Sequence, residues 1–117
     1  MDDKNYFDIE VCLTDIEFAI NEINEFLPEK RIFLDFQNDA KTRKAVERNI
    51  EIIGEAMNRI LKTDPDFPIS YSRKIVDTRN RIIHGYDSVS ADVVWLIVIN
   101  YLPELEKDVK RLLGKNK

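Results

Sequence analysis

A chain of 117 residues with one cysteine, one histidine, three glycines and four prolines leaves several chemistries without the residues they need. A lone Cys12 excludes an internal disulfide and any multi-thiolate metal site, and it favours a reducing compartment. The lone His84 excludes HExxH zinc sites, histidine-rich metal clusters and triads built on several histidines. Three isolated glycines form no glycine-rich phosphate loop, so the sequence supplies no metal or cofactor motif. The longest apolar run, Val93 to Ile99, falls far short of the roughly 20 residues that span a bilayer. The start, Met-Asp-Asp-Lys, lacks the basic flank and apolar stretch of a secretory signal. The expectation is one cytoplasmic domain, residues 1–117, with no membrane partner, long enough to be held by its own core.

Charge is unevenly distributed behind a formal net value of −4. Residues 1–27 carry eight acids against one base, whereas 41–62 and 70–86 each carry an excess of three bases. A mildly acidic protein can therefore still offer a local basic surface to a polyanion. Solvated helix faces account for the same pattern equally well.

The apolar periods are helical throughout, and no strand pattern stands out. Ile9, Leu13, Ile16, Ile20, Ile23 and Leu27 recur at alternating spacings of four and three, placing them on one stripe of a helix that Pro28 ends. Residues 29–38 take no firm assignment, with Arg31 to Leu34 extending or restarting a turn. Asp39 is the expected N-cap of a second long helix, whose stripe is Val46, Ile50, Ile53, Met57 and Ile60. Pro65 and Pro68 force a non-helical connection. A third helix is expected from near Ser70 to about His84, closed by Gly85. Ser90 is the expected cap of a fourth, with Val94, Val98, Tyr101, Leu105, Val109 and Leu112 as its stripe and Pro103 as a kink or split. The fold class expected is all-α, an antiparallel bundle of four to five helices. Residues 93–99 are apolar all round, which a bundle this small cannot easily wrap, so a homodimer is expected.

Few side chains are candidates for chemistry. Glu47, Glu51 and Glu55 could form a carboxylate row for a divalent ion, or a solvated face pairing with Arg48, Arg59 or Lys62. Cys12 reads as a small core residue. The remaining concentration of titratable groups is Asp77 to Tyr86, where Arg79, Asn80, His84 and Tyr86 gather at a helix end. Arg73, Lys74 and Arg81 nearby, with Lys41, Arg43, Lys44 and Arg48 on the second helix, are candidate contacts to an RNA backbone. As a group they predict salt-sensitive, weakly sequence-specific binding.

Arg79-x4-His84-x-Tyr86 resembles the RX4HXY motif of the HEPN superfamily, and more narrowly that of the HepT-like ribonuclease toxins. Asn80 directly after the arginine, Gly54-Glu55-Ala56, and the Tyr-Asp-x-Val then Val-x-Trp run after the histidine resemble the same family. A tryptophan often found before the family's third helix is replaced here by Tyr71-Ser72. The resemblance covers essentially the whole chain and implies a HEPN-type bundle and metal-independent RNA cleavage, with Arg79 and His84 as the active pair. It also implies a partner, the MntA-type minimal nucleotidyltransferase antitoxin, which silences such toxins by AMPylation of the motif tyrosine, here Tyr86. The rival expectation is a non-catalytic helical partner or substrate subunit of such a nucleotidyltransferase.

Residue chemistry agrees with cleavage. RNA carries its own nucleophile, the 2′-hydroxyl, and His84 has the ordinary pKa of a base working near neutrality. Arg79, always charged and forked, suits the negative charge that builds on phosphorus oxygens. Residues five apart on an ideal helix differ by roughly 140° and about 7.5 Å, so Arg79 and His84 do not lie side by side unless the helix unwinds at Gly85 or a second subunit completes the cleft. One histidine also cannot act as base and acid in the same step. The acid is then His84 of a second chain, Tyr86 or water.

Overall fold

The computed structural model describes residues 3–83 and 90–114, with side chains from residue 8 onward. Among these residues the structure is all-helical, without strands. The elements are α1 (Asp3–Phe26), α2 (Phe33–Gln37), α3 (Ala40–Thr63), α4 (Ser72–Ile83), α5 (Ala91–Leu96), a π-helical segment (Ile97–Tyr101) and α6 (Leu102–Leu112). None of the described helices is long and apolar enough to cross a membrane.

The periodic stripes become the core. All six residues of the α1 stripe are buried, as are all five of the α3 stripe. α3 is the central element, with α1 packed on one side and α4 on another. Each fully buried Ile or Leu contributes on the order of 1.5–3 kcal/mol, so the α1–α3 seam dominates the stabilising burial. Cys12 lies in that seam, where burial pushes its thiol above the ordinary value, and it serves as a small apolar residue.

Helix ends follow local chemistry. Asp39 caps α3 as expected: its carboxylate accepts from the Thr42 amide at 3.1 Å and from the Thr42 hydroxyl at 2.6 Å, and these bonds hold it below the usual carboxylate range. The unassigned stretch 29–38 restarts as α2 at Phe33, whose Phe36 is buried and whose aromatic rings face Trp95, at 6.0 Å from Phe33 and 5.0 Å from Phe36. Ser90 precedes α5, but its hydroxyl caps no backbone amide. The Ser90 carbonyl accepts from the Val93 and Val94 amides.

One boundary shifts and one expectation is met in its second form. The third helix starts at Ser72, because Tyr71 takes a left-handed conformation (φ 61°) that α-helix cannot continue through. The fourth helix is split near Pro103, the second of the two expected outcomes. The wide π turn of Ile97–Tyr101 precedes it, and Pro103 falls in the first turn of α6, where a missing N–H is tolerated. The apolar run 93–99 is partly wrapped: Val94, Ile97 and Val98 are buried, but Leu96 and Ile99 remain 44% and 39% exposed.

The start of α4 is tied to α6 by side chains. The Ser70 amide and hydroxyl both donate to Asp108, the Tyr71 hydroxyl donates to Glu104 at 2.8 Å, and the Tyr71 and Tyr101 rings stack at 4.2 Å. Partial burial pushes the Asp108 carboxyl up, but the Ser70 bonds and Arg111 outweigh it and hold the group below its ordinary value. A folded-state pKa below the unfolded one stabilises above the ordinary carboxylate range, and that contribution disappears as pH falls through the depressed value. Thermal melts from pH 7 to pH 2 are therefore expected to show Asp108→Asn less stable than wild type at neutrality, with the gap closing in acid. A gap that is constant with pH would show the tie to be electrostatically silent.

Candidate functional site

α4 supplies the site. Its residues Ile75, Val76 and Thr78 are buried, so the helix presents its apolar side to α3 and aims Arg73, Lys74, Asp77 and Arg81 outward. Arg79 lies on the inward side. The reason is Gly54, in the middle of α3. A Cβ built there would overlap the Arg79 Cβ, lie 2.9 Å from its Cγ and lie 3.2 Å from the Ile75 carbonyl oxygen. Absence of a side chain at residue 54 is what allows the two helices to approach this closely. The stem of Arg79 thus rests on the backbone of α3.

The far end of Arg79 is braced by its neighbour: Nη1 donates to Asn80 Oδ1 at 2.8 Å. Its Nε is enclosed and has no partner among the described residues. An enclosed donor without an acceptor costs about 1–3 kcal/mol, and groups retained at that expense cluster at functional positions. The guanidinium is therefore fixed at its stem and held at one nitrogen by Asn80.

Other sequence candidates are distributed differently. Lys74 is drawn away toward α6, with Nζ 3.4 Å from the Tyr101 hydroxyl and 5.4 Å from its ring centre. Arg73 and Arg81 are exposed on α4, and Lys41 and Lys44 on the first turns of α3. Arg48 is exposed and pairs with Glu51 at 3.1 Å, which settles part of the glutamate row as a surface ion pair. Among the described residues no group of three His, Cys, Asp or Glu is placed to hold a metal ion. Arg43 is half-buried with its Nε enclosed and unpartnered, and burial pushes the neighbouring Glu47 up against the pull of Arg43 and Lys44. His84 and Tyr86, with Gly85, lie outside the described residues. A cavity of about 130 Å³ lined by Phe26, Ile32, Phe36 and Trp95 contains none of the motif residues and is not this site.

In the sequence Gly54 stands out only as part of the Gly54-Glu55-Ala56 resemblance, and its packing role emerges from the structure. A glycine inside a strongly periodic helix was the available signal, since it weakens the helix unless something must come close.

The profile of the family described as "Ribonuclease HepT-like" matches residues 16–112, which include α4 and the whole motif. The chain belongs to the HepT-like ribonuclease family. A Thermococcus cleftensis protein whose name assigns it as a ribonuclease HepT is 38% identical over 104 residues, covering 86% of this chain and 91% of its own length. Proteins of Caldanaerobacter subterraneus subsp. tengcongensis and Methanocaldococcus jannaschii, both with RNase names, are 33% and 32% identical over 113 and 117 residues. These cover 93% of this chain in each case, and 94% and 93% of their own lengths. No solved structure matches. As a HepT-like protein, the chain is a ribonuclease of the HEPN kind, and Arg79 with its Asn80 brace lies within the matched residues.

Proposed function

We propose that this HepT-like ribonuclease is the toxin of a cytoplasmic toxin–antitoxin module, a homodimer that cleaves RNA without a metal ion. The observation that carries the reading is the state of Arg79: stem packed on Gly54, Nη1 held by Asn80, and Nε without an acceptor among the described residues. A guanidinium so prepared needs little reorganisation when charge develops on a phosphate.

In the proposed reaction His84 removes the proton of the 2′-hydroxyl, and the 2′-oxygen attacks the adjacent phosphorus. Arg79 stabilises the developing oxyanion charge, and the 5′-oxygen leaves with a proton. That proton comes from the partner's His84, from Tyr86 or from water. The products are a 2′,3′-cyclic phosphate and a 5′-hydroxyl. Exposed Leu96 and Ile99, on a segment whose Val94, Ile97 and Val98 are buried, support self-association there. Lys41, Lys44 and Arg48 on α3, with Arg73 and Arg81 on α4, are the proposed backbone contacts; Lys74, engaged by Tyr101, is the weakest of the original set. AMPylation of Tyr86 by an MntA-like nucleotidyltransferase would put bulk and phosphate charge seven residues from Arg79, competing for the position that RNA phosphate needs.

The test is purified protein with cellular RNA in excess EDTA. Cleavage that yields cyclic phosphate ends and is lost in His84→Ala is the expected outcome. Cleavage that depends on added divalent metal would overturn the metal-independent mechanism, and indifference to His84→Ala and Arg79→Ala alike would leave the non-catalytic partner reading in its place.

A further inference from the structure

The outward face of α1 is chemically unlike the rest of the described surface. Val11, Asp15, Phe18, Glu22 and Glu25 recur at spacings of four and three, so they share one side of the helix, opposite the stripe buried against α3. Phe18 is 67% exposed, more than any other large apolar side chain described, and Val11 and Phe26 are 38% and 47% exposed. No Lys, Arg or His occurs between Lys4 and Lys30. None of the ion pairs among the described residues involves Asp15, Glu22 or Glu25. Arg59 of α3 lines the same crevice as Asp15, but Glu22 and Glu25 flank Phe18 with no ion pair among the described residues; apolar anchors so flanked describe half of an interface, and the missing half is basic.

We propose that this face docks a protein partner presenting lysine or arginine side chains around an apolar socket that takes Phe18. The charge decides among occupants. RNA and anionic lipid headgroups are repelled by the same acids. A second copy meeting this one across a twofold axis would bring identical acidic faces together. A basic protein surface gains from both the acids and the rings.

The face also stands away from Arg79. Ala56 and Arg59 line the crevice between α3 and α1, while Gly54, roughly 200° around α3 from Ala56, meets α4. A partner seated on α1 therefore leaves the Arg79 side of α3 open. Docking and RNA cleavage are separable functions of opposite sides of the same helix.

The full chain would be titrated with a fluorescent 18-residue helix of leucine and lysine at amphipathic spacing, and with its leucine–glutamate counterpart. The expected result is binding of the basic helix only, weakened at least tenfold in Phe18→Ser and in the double variant Glu22→Lys/Glu25→Lys. Hydrogen-exchange protection should be confined to residues 11–26, and RNA cleavage should be unchanged in Phe18→Ser. Phe18 is solvent-exposed, so its replacement leaves the fold intact. Equal binding by wild type and variants, binding of the acidic helix, or loss of a sedimenting dimer in Phe18→Ser would each overturn the proposal, the last by assigning the face to a second copy.

Discussion

Arg79→Ala is expected to lower RNA cleavage by about 10²–10³-fold, the usual consequence of removing one preorganised donor from a developing oxyanion. The stability change should be small by comparison. Truncation removes the methylenes that lie on Gly54, worth about 0.8 kcal/mol for each one buried, but it also removes the enclosed Nε, which has no partner among the described residues and counts as a liability of about 1–3 kcal/mol. These terms oppose each other, so the melting temperature should move by only a few degrees while kcat/KM collapses. Arg79→Lys should recover little, because an ammonium cannot both engage Asn80 and offer a second parallel donor to phosphate. Asn80→Ala should lie between, at about tenfold, since it frees the guanidinium without removing it. Steady-state cleavage of a short labelled RNA, with thermal melts of the same preparations, separates these outcomes. Full activity in Arg79→Ala would remove the basis for the proposed mechanism.

Much of the fold was legible because the signal was periodic. The α1 and α3 stripes are buried at every residue named, since a core-facing helix must repeat its apolar side every three to four residues. Asp39 was readable because a short acidic side chain before a helix has one obvious hydrogen-bonding task. Ser90 reads as a cap, but no side-chain capping bond forms there, and the Ser70 hydroxyl near the start of α4 is taken by Asp108. The π turn was not legible, because Pro103 announces that the helical ladder must be interrupted without stating how its neighbours absorb the interruption. In the site, Arg79 was found by type and spacing. The relation of Arg79 to Asn80 needed only adjacency in sequence, whereas its relation to Gly54 depends on two helices 25 residues apart in the chain meeting at that level. Lys74 illustrates the same limit from the other side: its charge and place in sequence fitted a phosphate contact, and only packing shows it turned toward Tyr101.

Gly54→Ala sets two well-characterised effects against each other, and the geometry determines the sign. In an open helix the substitution stabilises by about 0.5–1 kcal/mol through backbone entropy. At residue 54 the new methyl falls on the Cβ of Arg79, with the Ile75 carbonyl oxygen at 3.2 Å. Neither obstacle can rotate aside: one is the root of a side chain and the other is backbone, so α3 and α4 must separate. Inserting a methylene into a close-packed seam costs about 1–3 kcal/mol, and at a helix-to-helix contact the upper part of that range applies. The net expectation is a loss of roughly 1–2 kcal/mol, seen as a melting temperature lower by about 5–10 °C. Cleavage should fall further than stability does. Moving α4 off α3 displaces the stem of Arg79, and a shift of about 1 Å in a charge-stabilising group can cost roughly a hundredfold in rate even where the protein remains folded. The exposed neighbour Glu55→Ala serves as the control, expected to leave both the melt and kcat/KM near wild type. A rise in melting temperature for Gly54→Ala would mean that the helices do not meet at this glycine, and that Arg79 owes its placement to something other than the missing side chain opposite it.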